Sequence, residues 1–122
     1  MTNGPVKKEK GVRHLIAASR YSFQGFVRLL REEAFRHELL GFVIGVIVFF
    51  LAGATATQFM VFIILMFALF AAEALNTAVE ELVDRVSPER SVEGKHAKDL
   101  GSFATFCLIC CNFIYAIAVV FF

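Results

Sequence analysis

Polar and acidic residues recur at helical spacing in the most apolar half of the chain. Four of them stand three or four residues apart: Glu73, Asn76, Glu80 and Asp84. On a helix, where consecutive residues are about 100° apart, their side chains fall close to one stripe with apolar residues between them. Carboxylates can hold Mg²⁺ beside a substrate phosphate, and a carboxylate deeper in an apolar environment can accept the proton of an attacking alcohol. The stripe therefore predicts a functional site.

Glu73 is expected to lie inside a membrane. The apolar run before it begins at Phe59, and the fourteen residues from Phe59 to Ala72 cover about 21 Å of a hydrocarbon core about 30 Å thick. Glu80, about two turns further along, then reaches the headgroup level. A carboxylate in the core costs on the order of a few kcal/mol, so Glu73 needs a partner or a task. The structural alternative is that these acids pair with Arg85 or form hydrogen bonds between helices.

The composition also requires a membrane. Of the 122 residues, 58% are hydrophobic and 15 are Phe, which is more apolar surface than a soluble domain of this size can bury. The length suits a single domain over residues 1–122. The formal net charge is only +1, so the total says little about acidic partners, and no nucleic-acid partner is expected.

Periodicity and turn residues predict an all-α membrane protein, with an N-terminal surface helix and three transmembrane helices. The predicted segments are a flexible tail over 1–11, a surface helix over 12–38, transmembrane helices over 39–56, 59–86 and 100–122, and a loop over 87–99. Basic residues precede the first span and lie between the second and third, whereas 54–58 carries no charge. The positive-inside rule therefore places the N-terminus and residues 85–98 in the cytoplasm.

The predicted surface helix is amphipathic. Apolar residues recur at intervals of three and four through 12–38, opposite basic residues, which is typical of a helix in the headgroup plane. The alternative is a plain membrane anchor. Glu32, Glu33 and Glu38 argue against that alternative, because an anchor close to anionic lipid would carry Lys or Arg there.

The sequence has no phosphate-binding loop of the soluble nucleotide-binding kind, since no Gly stands five residues before Gly94 and Lys95. A nucleotide would be held by loop backbone and basic side chains, for which the candidates are Arg13, Arg90, Lys95 and Lys98. Lys98 and Asp99 are expected where the third span begins, and backbone N–H groups exposed at a helix start can hold a phosphate.

Small side chains in the spans indicate packing rather than chemistry. Gly41 and Gly45 have the spacing that lets helices approach closely. Three cysteines, Cys107, Cys110 and Cys111, share roughly one face of the third span. Because zinc needs about four ligands and no His lies near them in sequence, we interpret them as buried apolar groups.

Two stretches carry a specific family resemblance. The run from Glu73 to Arg85, with its Glu-x-x-Asn-x-x-x-Glu core, and Ala97-Lys-Asp-Leu-Gly-Ser102 together resemble the signature of the small prokaryotic diacylglycerol kinases. The resemblance implies Mg²⁺- and ATP-dependent phosphorylation of diacylglycerol to phosphatidic acid. It also implies a homotrimer in the bacterial inner membrane, with active sites between subunits.

The matching positions imply residue roles. Glu73 would be the general base, Glu32 and Glu80 the metal ligands, and Asn76 and Glu38 supporting residues. Contacts with ATP are implied for Arg13, Tyr21, Glu32, Glu80, Glu89, Arg90, Ser91, Lys98 and Asp99. Contacts with the lipid are implied for Arg13, Glu73 and Ser102.

Two departures from the family pattern leave alternatives. Tyr21 is displaced by one residue relative to Glu32, so either an insertion follows Ala18 and is compensated later, or Glu33 is the metal ligand instead of Glu32. The run 87–89 resembles the related undecaprenol kinases, whereas 98–102 resembles the diacylglycerol enzymes, which we favour. From a different class, the chain could be a small transporter or assembly protein in which Glu73 couples to protons.

Overall fold

The computed structural model describes residues 10–122, which form four α-helices. They are α1 (Val12–Leu29), α2 (Glu33–Leu51), α3 (Ala56–Val86) and α4 (Val92–Phe121). Helices α2, α3 and α4 are each long and apolar enough to cross a membrane. The predicted all-α architecture with three candidate spans is confirmed. Residues 1–9 of the predicted tail lie outside the described residues.

The range predicted as one surface helix, 12–38, is divided between α1 and α2. The chain leaves the helix after Leu29 and enters α2 through Glu32, whose backbone is extended at φ −83° and ψ 126°. Arg36 Nη1 donates a hydrogen bond of 2.9 Å to the Leu30 carbonyl. Carbonyl groups at the end of a helix have no amide partner within the helix, so this bond satisfies one of them. Residues 33–38 therefore belong to the first candidate span, and Glu38 lies inside α2.

The turn between α2 and α3 is short because its residues satisfy the ends of both helices. Gly53 has a φ of 72°, a left-handed conformation that suits glycine. Thr55 Oγ1 accepts a hydrogen bond from the Gln58 amide, while the Gln58 side chain accepts one from the Thr55 amide. This reciprocal cap starts α3 at Ala56, three residues before the predicted start.

Helix α4 begins eight residues before the predicted start of the third span. Ser91 Oγ accepts a hydrogen bond of 3.0 Å from the Gly94 amide and so caps the helix. Lys98 and Asp99 lie inside α4 rather than at its beginning. The prediction that exposed N–H groups at a helix start lie beside Lys98 and Asp99 is wrong, and Ser91 is the residue at that position.

The core lies where α2, α3 and α4 meet. Its buried members are Phe49, Phe62, Met66 and Leu69. The side chain of Asn112, in the middle of α4, donates hydrogen bonds to the carbonyls of Leu65 on α3 (3.2 Å) and Leu108 on its own helix (2.9 Å). Asn112 thus joins the two longest helices through a polar contact in the apolar interior.

Many large apolar side chains on the candidate spans point outward, as expected of helices solvated by lipid or by other subunits. Cys107 and Cys111 share this outward surface and Cys110 is half-buried, all three as free thiols. The interpretation of Cys107 and Cys111 as buried apolar groups is wrong for the single chain. Within residues 10–122, both side chains are exposed on the outer side of α4.

Candidate active site

A pair of carboxyl groups lies between α2 and α3. Glu73 is only 5% exposed, and the Glu38 carboxyl lies close enough to interact with it. Glu38 Oε1 is buried and has no hydrogen-bond partner in the described residues. The structure thus brings the predicted supporting residue Glu38 directly to the predicted base, although the two are far apart in sequence.

The two predicted metal ligands border the same pair. The carboxylates of Glu80 and Glu32 are both close enough to Glu73 to repel it electrostatically. Among residues 10–122, no three His, Cys, Asp or Glu side chains form a group that could hold a metal ion by themselves. Kinase sites typically bind Mg²⁺ through one or two carboxylates together with substrate phosphates. Glu32 and Glu80 fit that mode of binding.

Glu33, the alternative metal ligand, has a different environment. Its side chain is 80% exposed, and its nearest ionisable partner is His37, at 3.9 Å on the next turn of α2. Glu32, by contrast, is half-buried and accepts a hydrogen bond of 2.9 Å from Arg28 Nη1. Of the two acids, Glu32 is the one that interacts with Glu73.

Asn76 faces α4. Its Oδ1 atom is buried and has no hydrogen-bond partner in the described part of the chain. A Cβ atom added to Gly101 would overlap Asn76 Oδ1 and lie 3.3 Å from Asn76 Cγ. Only glycine therefore allows α4 to approach α3 at this point without displacing Asn76. The sequence analysis missed Gly101 as a site residue, although it lies inside the motif 98–102.

A cavity of about 390 Å³ lies between the end of α3 and the start of α4. Its lining includes five predicted ATP-binding residues, namely Glu89, Arg90, Ser91, Lys98 and Asp99. Lys98 Nζ is 2.6 Å from Asp84 Oδ1 on α3, and Lys95 Nζ is 2.6 Å from Asp99 Oδ2. The cavity wall therefore carries three cationic side chains, those of Arg90, Lys95 and Lys98, and the two lysines are paired with carboxylates. Arginine and lysine side chains can donate hydrogen bonds to phosphate oxygens.

Three further predicted residues lie outside this cavity. Arg13 lines a small surface recess on α1, together with Arg20. Tyr21 is 53% exposed, and the Arg20 guanidinium lies 5.5 Å from its ring centroid. Ser102 is exposed on α4. None of these three side chains is part of the cavity lining.

The structure also shows a cation that the sequence analysis did not single out. Arg28, near the end of α1, donates to Glu81 Oε1 on α3 through Nε at 2.7 Å, and Nη2 also contacts that oxygen. Hydrogen bonds to Glu32 and then Glu81 raise the pKa of Arg28 above its usual value. Within residues 10–122 the ion pairs of α3 use Glu81 and Asp84, and none uses Arg85. The Arg85 pairing is therefore not observed.

The fold and the candidate site are those of a small helical protein with three candidate membrane spans, and the comparisons with known proteins give its class. Candidate spanning helices carry a carboxylate cluster and end beside a cavity with basic side chains. The sequence profile of the prokaryotic diacylglycerol kinases matches residues 20–120. The chain belongs to this family.

Individual relatives agree with the family match. The chain is 56% identical over 119 residues to a diacylglycerol kinase from a Sinorhizobium species, and the alignment covers 98% of this chain and 87% of the relative. It is 38% identical over 104 residues to the Haemophilus influenzae diacylglycerol kinase (84% and 88% covered). It is 30% identical over 95 residues to the Escherichia coli enzyme (77% and 78% covered). The resemblance based on 73–85 and 97–102 is confirmed, and with it the kinase class.

Proposed function

We propose that this chain transfers the γ-phosphoryl group of MgATP to the hydroxyl group of diacylglycerol, giving phosphatidic acid, with Glu73 as the general base. The observation that carries the proposal is the position of Glu73, which is buried against Glu38 and bordered by Glu32 and Glu80. Diacylglycerol is favoured over undecaprenol because the named relatives are diacylglycerol kinases.

The proposed base acts on the lipid hydroxyl. Glu73 accepts the hydroxyl proton as the oxygen attacks the γ-phosphorus, and the bond between the γ-phosphorus and the leaving oxygen of ADP breaks. Glu38 is in contact with Glu73, and two carboxyl groups in contact can share one proton. A groove of about 480 Å³ between α2 and α4 includes Glu38 in its otherwise largely apolar lining. That groove suits an acyl chain whose hydroxyl end reaches the carboxyl pair.

The proposed nucleotide site lies at the other end of the acidic stripe. Lys98, Arg90 and the capped start of α4 line the cavity there and supply positive charge to phosphates. Glu32 and Glu80 lie between this cavity and Glu73 in the proposed arrangement and would hold the metal ion. Mg²⁺ bound with ATP would neutralise part of the negative charge that develops on the phosphates.

We further propose that the enzyme is a homotrimer in the inner membrane, with α1 on the cytoplasmic surface. The distribution of basic residues supports this orientation, because they cluster before α2 and around the turn from α3 to α4, at Arg85, Arg90, Lys95 and Lys98. The outward apolar surfaces support association in the membrane. Arg13 and Tyr21 do not line the cavity of their own chain, which is consistent with a site that neighbouring subunits complete.

Substitution of Glu73 tests the catalytic proposal. Purified protein in detergent micelles, given MgATP and a short-chain diacylglycerol, should form phosphatidate. Glu73→Gln should lower kcat by about 10²–10⁴-fold, because the amide cannot accept the proton. Glu93→Gln, an exposed acid in the first turn of α4, is the control and should retain activity. Full activity of Glu73→Gln would exclude Glu73 as the base.

The acceptor is tested in the same assay. Diacylglycerol and a polyprenol are offered separately at equal mole fraction in the micelle, and initial rates are compared. A higher rate with diacylglycerol supports the proposal, whereas a higher rate with the polyprenol would assign the chain to undecaprenol phosphorylation. Transport driven by a pH gradient without ATP turnover would instead support the transporter alternative.

A further inference from the structure

Arg28 connects three parts of the fold through one guanidinium group. It lies one residue before the end of α1, binds Glu32 at the start of α2 through Nη1 (2.9 Å), and binds Glu81 on α3 through Nε (2.7 Å). The side chains are partly exposed, at 36% for Arg28, 32% for Glu32 and 57% for Glu81. Arg28 therefore sits at the edge of the carboxylate cluster rather than inside it.

Stability does not account for this arrangement. Exposed ion pairs contribute only about 0–1 kcal/mol, because water screens them and the side chains lose conformational freedom. The position of Glu32 suggests a different role for the contact. Glu32 is the N-cap residue of α2, has an extended backbone, and makes no capping hydrogen bond with its side chain. Its carboxylate is thus not oriented by its own helix, and Arg28 is the group that fixes it.

We infer that Arg28 is a positioning residue for the metal–nucleotide site. Tethered to α3 through Glu81, it holds the Glu32 carboxylate beside Glu73 and Glu80. Its hydrogen bond uses Glu32 Oε1, and a carboxylate keeps further lone pairs on both oxygens for a metal ion. The inference rests on the proposed function, in which Glu32 is a metal ligand.

A role for Arg28 as a simple counter-ion of Glu32 makes a different prediction. If Arg28 only neutralised Glu32, its removal would take away a nearby positive charge and strengthen metal binding. If Arg28 orients Glu32, its removal weakens binding, as partners of metal ligands do when they are replaced. Such replacements cost about 10–100-fold in metal affinity. The exposure of Arg28 places the expected effect at the lower end of that range.

Mn²⁺ binding distinguishes these roles without turnover. The full-length protein in detergent micelles is titrated with Mn²⁺ in the presence of a non-hydrolysable ATP analogue and no lipid acceptor, and free Mn²⁺ is followed by electron paramagnetic resonance. Arg28→Gln should weaken Mn²⁺ binding by about tenfold. Glu81→Ala, which leaves the Arg28–Glu32 contact but removes the hydrogen-bond acceptor on α3, should weaken Mn²⁺ binding in the same direction. The double variant should bind Mn²⁺ no more weakly than Arg28→Gln does, because the two residues act as one unit.

Two further variants complete the test. Arg31→Gln is the matched control, since Arg31 is exposed in the same connection and makes no side-chain hydrogen bond or ion pair within residues 10–122. It should leave Mn²⁺ binding unchanged. Arg28→Lys keeps the charge but lacks the planar fork that reaches two carboxylates, so it should bind Mn²⁺ more weakly than the unaltered protein.

The inference is overturned if Arg28→Gln binds Mn²⁺ as tightly as the unaltered protein, or more tightly, while Glu32→Gln binds Mn²⁺ more weakly. In that case the metal role of Glu32 stands and only the positioning role of Arg28 fails. If Glu32→Gln also binds Mn²⁺ normally, the assignment of Glu32 as a metal ligand fails with it. The activity of Glu73→Gln is independent of both results.

Discussion

Substitution of Gly101 tests the contact between α3 and α4 at the site. In Gly101→Ala, the new methyl group would overlap Asn76 Oδ1 and lie 3.3 Å from Asn76 Cγ and 3.6 Å from Asn76 Cα. The last distance is ordinary contact, so the backbones can stay in place and the Asn76 side chain must move. Overpacking of this kind costs about 1–3 kcal/mol, whereas replacing a helical Gly by Ala gains about 1 kcal/mol. The net destabilisation should therefore be at most about 2 kcal/mol.

Activity should change more than stability. Displacement of a positioned group by about 1 Å can cost 100-fold in rate, so we expect Gly101→Ala to retain its fold and lose most of its kinase activity. Unfolding in detergent and the phosphatidate assay measure the two effects. Gly25→Ala is the matched control, because Gly25 lies inside a helix and a Cβ there meets nothing within 4 Å. Full activity and unchanged stability in Gly101→Ala would refute the reasoning.

Asn76 itself supplies an internal check on this prediction. Asn76→Ala removes the two side-chain atoms that Gly101→Ala would strike. The double variant should therefore be more stable than the sum of the two single changes predicts, while its activity stays low. If the changes in unfolding free energy of the two single variants simply add in the double variant, Gly101 and Asn76 are not in the contact that the structure shows.

Two further predictions follow from contacts between helices. Lys98→Met should raise the KM for ATP by at least tenfold, because it removes a cation from the wall of the nucleotide cavity, and an unchanged KM would place the phosphates elsewhere. Gly45→Ala should destabilise the protein by up to about 2 kcal/mol after the gain of about 1 kcal/mol for Ala over Gly in a helix, because its Cβ would overlap the Phe62 ring tip and lie 3.1 Å from Cε1 and Cε2. Gly41→Ala should not, and equal unfolding midpoints for the two variants would contradict the packing.

Local patterns predicted the parts of the fold that depend on neighbouring residues. The lengths of the three apolar runs predicted the three candidate spans. Pro88 explains why α3 ends at Val86 as predicted, because the residue before a proline avoids helical geometry. The break between α1 and α2 was missed because apolar spacing continues across Leu30 and no Gly or Pro stands there. The start of α4 was missed because 92–99 is polar, although Ser91 carried the signal of an N-cap.

Contacts between helices could not be predicted from spacing. Glu38 and Glu73 are neighbours across α2 and α3, and Arg28 and Glu81 are 53 residues apart. The periodicity of one helix shows which residues share its face but not which helix that face meets. The motif 73–85 therefore identified the acids of the site, and only the fold shows that Glu38 contacts Glu73 while Gly101 receives Asn76.

The acidic stripe on α3 faces two different neighbours, and this has a consequence for the reaction. Glu73 contacts Glu38 on α2, whereas Asn76 packs on Gly101 and Asp84 pairs with Lys98, both on α4. In the proposed reaction the lipid therefore reaches Glu73 from the α2 side and the nucleotide is held on the α4 side. The phosphoryl group must pass between them at the level of Asn76, which explains why a single methyl group on Gly101 is expected to interrupt transfer without unfolding the protein.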